Sequence, residues 1–127
     1  MRALIIDDSA VMRKVIERAL RQSGLELSEV VQASNGEEAL EVLRTDASNA
    51  AKIGLIISDI NMPVMDGLTL LSKLNEQNSL IKSVIVSAYG DMQNIRTAMN
   101  RGAFDFITKP VDFEDLELTM EKTIRQV

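Results

Sequence analysis

The sequence predicts an α/β protein in which a parallel sheet carries helices on both faces. Three observations lead there. Short apolar runs, such as ALII at 3–6, IGLIIS at 53–58 and FDFIT at 104–108, are bounded by polar residues, the mark of strands buried on both faces. Between the runs lie segments whose apolar residues recur at helical spacing. The two kinds alternate five times with short connections, the pattern of a parallel sheet with crossover helices.

The first strand is expected over 3–7. An amphipathic helix follows from about 9 to 22, with Met12, Val15, Ile16, Ala19 and Leu20 on its buried face and Gly24 as its stop. Leu27–Ala33 forms the second strand. Asn35 caps the next helix with Glu38 three residues on, as in a capping box, and Ala39, Leu40 and Leu43 make its buried stripe. The segment DASNAAK, 46–52, has no period and is expected to be a surface loop. The third strand, 53–58, leads into NMPVMDG, punctuated by Pro63 and Gly67, and a third helix covers about 66 to 75. IKSVIVS, 81–87, is the fourth strand. Asp91 caps a fourth helix with the stripe Met92, Ile95 and Met99, stopped at Gly102. The fifth strand is 104–108, and the last helix starts near Asp112 and buries Phe113, Leu116, Met120 and Ile124. Leu118 falls off that stripe and is expected at the surface. No linker, repeat or low-complexity tract divides the chain, so residues 1–127 are expected to be one domain, with no output domain after them.

At 127 residues the chain is long enough for a real core, and 46% apolar content argues against disorder. Aromatics supply only 3%, with no Trp, so the core must be aliphatic and methionine-filled. A net charge of −5 argues against direct contact with nucleic acid or an anionic membrane. No apolar stretch approaches the ~20 residues of a membrane span, and no signal-peptide pattern opens the chain, so the cytoplasm is the expected location. The chain has no Cys, which removes disulfides, thiol nucleophiles and thiolate metal sites. It has no His either, which removes the commonest general base and the usual zinc ligand. Any chemistry must use carboxylates, hydroxyls and lysine. That inventory suits a hard cation with oxygen ligands, not zinc.

Asp7-Asp8, Asp59 and Lys109-Pro110 each follow one of the apolar runs. In open α/β sheets the functional crevice lies beyond the carboxyl ends of the strands. If those strands are neighbours, three carboxylates and one ammonium converge on one edge, an arrangement suited to a divalent cation and a phosphoryl group. Each residue also has a plainer reading. Asp is common where a loop begins, Asp7, Asp8 or Ser9 could cap the first helix, and a lone lysine is usually solvated. Capping needs one acidic residue rather than two, however, and adjacent like charges cost stability without a counterion.

IIDDS at 5–9, NGEEAL at 35–40, SDINMPVMDG at 58–67, VSAYG at 86–90 and GAFDFITKP at 102–110 together resemble the receiver domain of two-component response regulators, in order and spacing over essentially the whole chain. Through about Gly67 the likeness is to single-domain chemotaxis regulators, and beyond it to receivers fused to cyclases or kinases. The resemblance implies a flavodoxin-like doubly wound (βα)5 fold with strand order 2-1-3-4-5, which brings the ends of strands 1, 3 and 5 around one crevice. It implies Asp59 as phosphoacceptor, direct Mg²⁺ ligation by Asp8, Asp59 and the backbone carbonyl of Asn61, and Asp7 acting through water. Lys109 and Ser87 would bind the phosphoryl oxygens, and the Lys109–Pro110 bond would be cis. Ser87 and Phe106 would carry the switch to a face made by helix 4, strand 5 and helix 5, while Tyr89 would gate attacking water. A Phe at 106 lacks the hydroxyl that many family members carry there, and its plainer role is packing.

The expected function is a phosphorylation-operated signalling switch rather than an enzyme, its own catalysis limited to accepting the phosphoryl group and helping to hydrolyse it. The group would come from a phosphohistidine on a sensor histidine kinase or phosphotransfer protein, since this chain has no His. The altered face would control a downstream protein, with the chain itself a monomer or weak dimer. One alternative is a phosphorylation-independent binding module of the same fold. Another is a phosphatase like the haloacid dehalogenases, which need a second Asp two residues after the nucleophile, where this chain has Asn61.

Overall fold

The computed structural model describes residues 2–23, 26–46, 53–62, 64–76, 81–88, 90–109, 111 and 113–125, with the backbone alone for 113, 124 and 125. Strands and helices alternate: β1 (Arg2–Ile6), α1 (Ala10–Gln22), β2 (Glu29–Ala33), α2 (Gly36–Asp46), β3 (Ile53–Asp59), α3 (Gly67–Glu76), β4 (Lys82–Ser87), α4 (Met92–Asn100), β5 (Asp105–Thr108) and α5 (Phe113–Arg125). Every strand pair is parallel, and the order across the sheet is β2-β1-β3-β4-β5. This is the flavodoxin-like doubly wound sheet that the resemblance implies.

The continuous apolar runs follow from covering both faces, because successive strand side chains point to opposite sides. Ala3, Ile5, Leu55, Ile57, Val84, Val86 and Ile107 meet Ile16 and Leu20 of α1 and Leu116 and Met120 of α5 on one face. Leu4, Ile6, Ile53 and Ile56 meet Ala39 of α2 and Leu70 and Leu74 of α3 on the other. A smaller cluster of Ile60, Leu71, Ile85, Ala98 and Ala103 continues that second face under α4.

The helix ends show which local signals held. Ser9 caps α1, its hydroxyl accepting from the Met12 N–H at 3.2 Å. The Asn35 side chain accepts from the Glu38 N–H at 2.8 Å, but the Glu38 carboxylate takes the Ser34 hydroxyl at 2.7 Å, so only half of the expected capping box forms. Asp91 occupies the N-cap position of α4 without a side-chain capping bond. Gly102 ends α4 with a φ of +104°, a conformation that favours glycine.

Two buried stripes are narrower than their periodicity suggests. Val15 is 46% exposed, and Met92 and Met99 of α4 are 58% and 39% exposed, so α4 buries Ile95 and Ala98 instead. A helix lying toward the rim of a sheet is covered along one line, and apolar residues a turn to either side of it stay outside. Leu118 is exposed, as its position predicts. In α5 the buried line also takes Thr119 and Thr123, the latter donating its hydroxyl to the Thr119 carbonyl at 2.8 Å. Expectations for Gly24, Pro63, Tyr89, Pro110, Asp112, most of the 46–52 loop and the Phe113 and Ile124 side chains lie outside the described residues. Among the described residues no helix is long and apolar enough to cross a membrane.

Candidate functional site

The strand order puts β1, β3 and β4 side by side with β5 next, and the candidate residues stand at or just past their carboxyl ends. β1 stops at Ile6, one residue earlier than expected, so Asp7 stands just past the strand. Its N–H still donates to the Ala33 carbonyl at 3.1 Å. β3 runs one residue further than expected and makes Asp59 its last member, paired with Val86 of β4. Lys109 follows β5 and donates its N–H to the Ser87 carbonyl at 2.7 Å, adding a rung beyond the strand ends. Backbone hydrogen bonding thus fixes where the Asp7, Asp59 and Lys109 side chains start.

The side chains converge. Carboxylate oxygens of Asp7, Asp8 and Asp59 lie within 4.8 Å of one another. Lys109 Nζ is 3.2 Å from Asp59 Oδ2, an ion pair in which the carboxylate is buried and the ammonium is one-third exposed. Asp7 is 1% exposed; its Oδ1 accepts from the Ser9 N–H at 2.9 Å, while its Oδ2 is buried without a partner. Burial pushes the Asp7 carboxyl above its ordinary range, and the Asp59 and Asp8 carboxylates push the same way against the Ser9 N–H and Lys109. An orphaned buried carboxylate oxygen beside two more carboxylates needs a positive partner. A hard divalent cation fits that donor set.

The remaining predicted residues lie around this cluster. Asn61 is exposed in the segment after β3, two residues beyond Asp59. Ser87 ends β4, buried, with its hydroxyl 3.4 Å from Asp91 Oδ2, which also accepts from Asn94 Nδ2 at 2.8 Å. Phe106 is half-buried beside the Ile60, Leu71, Ile85, Ala98 and Ala103 cluster. Asp7, Asp8, Asp59 and Lys109 are therefore brought together, with Ser87 on the adjacent strand end.

The sequence model of the response regulator receiver domain matches residues 3–121. The chain belongs to the response regulator receiver domain family. Among curated relatives, the chemotaxis protein CheY of Bacillus subtilis is 33% identical over 123 residues, 97% of each chain. The DNA-binding transcriptional regulator NtrC of Escherichia coli K12 is 33% identical over 120 residues, which are 94% of this chain and 24% of that protein. The chain thus spans about a quarter of the length of the NtrC regulators it matches. The crystal structure of a response regulator receiver domain protein from Clostridium thermocellum superimposes with a TM-score of 0.82 at 30% identity, covering 98% of this chain and 94% of that one. Receiver domains are signalling switches, and membership displaces the phosphatase alternative.

Two residues that touch the main chain of Asp7 and Asp59 give no sign of it in the sequence. Arg13 Nη1 donates to the Asp7 carbonyl at 2.6 Å, yet in sequence it is one of several basic residues on α1. Gly67 looks like loop punctuation, but it begins α3 against the backbone of Asp59 and Ile60. In both cases the partner is distant in sequence or is a main-chain atom, which residue patterns do not signal.

Proposed function

We propose that this receiver is a phosphorylation-operated switch of a two-component or phosphorelay system, with Asp59 as its phosphoacceptor. The observation that carries this reading is the Asp59 carboxylate, buried at the end of β3 between the Asp7-Asp8 pair and a Lys109 ammonium 3.2 Å away. A carboxylate is a weak nucleophile, so the chain's task is to position it and neutralise charge. Asp59 attacks the phosphorus of a phosphohistidine on a sensor kinase or phosphotransfer protein; the new O–P bond forms as the N–P bond breaks and the imidazole leaves. Lys109, paired with Asp59 before transfer, follows the negative charge onto the phosphoryl oxygens. The Ser87 hydroxyl leaves Asp91 and donates to another of those oxygens.

Asp7, Asp8, Asp59 and the Asn61 carbonyl would hold Mg²⁺, directly or through water. When bound, the ion would neutralise charge on the phosphoryl oxygens. Movement of Ser87 frees space behind it, into which Phe106 turns, and the face of α4, β5 and α5 changes for a downstream protein. Tyr89, two residues beyond Ser87, sits in sequence where it can gate water and slow loss of the group. The chain works in the cytoplasm as a monomer or weak dimer, with no direct nucleic-acid contact.

Incubation with a small acyl phosphate and Mg²⁺ should add one phosphoryl mass, labile to hydroxylamine, at Asp59. Asp59→Asn should fold and take up nothing. Stoichiometric labelling of that variant elsewhere would sink the assignment, and a wild type that never labels would favour the phosphorylation-independent binding module.

A further inference from the structure

We propose that Arg13 is a positioning residue of the acidic pocket, acting through the backbone of Asp7 to strengthen divalent-cation binding. The inference rests on the reading of Asp7, Asp8 and Asp59 as the cation site.

Asp7 is held on every side but one. Its N–H is on Ala33, its carbonyl accepts Arg13 Nη1 at 2.6 Å, and its Oδ1 takes the Ser9 N–H, which leaves only the buried Oδ2 unpaired. Arg13 is itself anchored, its Nε donating to Gln32 Oε1 at 3.0 Å. Gln32 Nε2 donates to Glu17 Oε1 at 2.8 Å, and Glu17 Oε2 accepts from Arg21 Nε at 3.2 Å. Arginine can only donate and an ionised glutamate can only accept, so the orientation of the Gln32 amide between them is determined by chemistry. The chain Arg21–Glu17–Gln32–Arg13 therefore ties α1 to β2 and ends on the peptide unit that carries the orphaned carboxylate.

Groups that orient a ligand from behind typically change metal affinity by about 10–100-fold when lost. Arg13 also has an opposite effect, since a cation near the pocket repels another cation. The two effects differ in sign, and the geometry favours positioning. The guanidinium reaches the main-chain side of Asp7, not its carboxylate, and its charge is linked through Gln32 to the ionised Glu17.

Calorimetric Mg²⁺ titration of the purified protein tests this, with the thermal midpoint without metal recorded for each variant. Arg13→Ala should weaken Mg²⁺ binding about tenfold, and Arg13→Lys, which can still reach the carbonyl, should recover part of it. Phosphoryl uptake by Arg13→Ala should return to the wild-type level at saturating Mg²⁺. Gln32→Ala, which keeps Arg13 but removes its anchor, should weaken binding by a smaller factor and keeps the test open if Arg13→Ala does not fold. Unchanged or tighter Mg²⁺ binding by a folded Arg13→Ala, whatever its thermal midpoint, overturns the proposal. The cation reading fails separately, and takes this inference with it, if wild type binds no Mg²⁺ or Asp8→Asn binds it equally well.

Discussion

A Cβ placed on Gly67 would lie 2.3 Å from the carbonyl oxygen of Asp59 and 3.1 Å from the Cα of Ile60. The start of α3 is thus pressed against the main chain that carries the proposed phosphoacceptor, and the Gly67 N–H donates to the Ile60 carbonyl at 2.9 Å. Main chain cannot swing aside as a flexible side chain can. Gly67→Ala should destabilise the fold by about 1–3 kcal/mol, as overpacking does, and should slow acyl-phosphate labelling of Asp59. Denaturant unfolding and the labelling rate check this; wild-type values for both would mean that the junction yields without cost.

The carboxylate cluster should make stability depend on Mg²⁺. Binding to the native state alone contributes RT ln(1+[L]/Kd), about 1.4 kcal/mol at about ten times Kd. Thermal melts of the wild type should rise accordingly. Asp8→Asn, with one charge fewer in the cluster, should start more stable and lose the response; equal Mg²⁺ shifts in both proteins would place the ion elsewhere.

Burial raises the Asp7 carboxyl pKa above its unfolded value, so the native state holds that proton more tightly. Its contribution to stability is complete below the unfolded pKa and is lost as pH rises through the folded one. At neutral pH without metal, Asp7→Asn should therefore be more stable than wild type. That advantage should shrink as pH falls through the raised pKa toward the ordinary carboxylate range. Urea unfolding across the range measures it, and an advantage independent of pH would assign the gain to something other than ionisation.

Ser87 should separate chemistry from signal. Its hydroxyl lies 3.4 Å from Asp91 at the start of α4, a long contact that is easily exchanged for a phosphoryl oxygen. Ser87→Ala keeps Asp59, Lys109 and the acidic pair, so it should still be phosphorylated. Amide exchange over Gly90–Gly102 and Asp105–Lys109, compared with and without a non-hydrolysable phosphoryl mimic, should change in wild type and not in the variant. A full response in Ser87→Ala would route the coupling elsewhere.

The sequence by itself determined the alternation of strands and helices, because strands covered on both faces must be apolar throughout and helices covered on one face must repeat at their own period. It also singled out Asp7, Asp8, Asp59 and Lys109 as candidates for the chemistry, and the fold brings them together. Without His or Cys, and with Asp7, Asp8, Asp59 and Lys109 all at strand ends, few other roles were open to them. Resemblance added the strand order, which the sheet bears out.

Tertiary structure alone decided the rest. Met92 and Met99 match Ile95 in apolar character, and only the placement of α4 leaves them outside. Asp7 and Asp8 are the same residue type side by side; one is tied by its N–H to Ala33 and buried with an orphaned oxygen, and the other is exposed. Arg13 gains its role from the Asp7 carbonyl and from Gln32 on another strand. Gly67 gains its role from main-chain atoms of Asp59. Periodicity records which side of an element is covered, whereas contacts between elements and with backbone atoms arise only once the chain has folded around them.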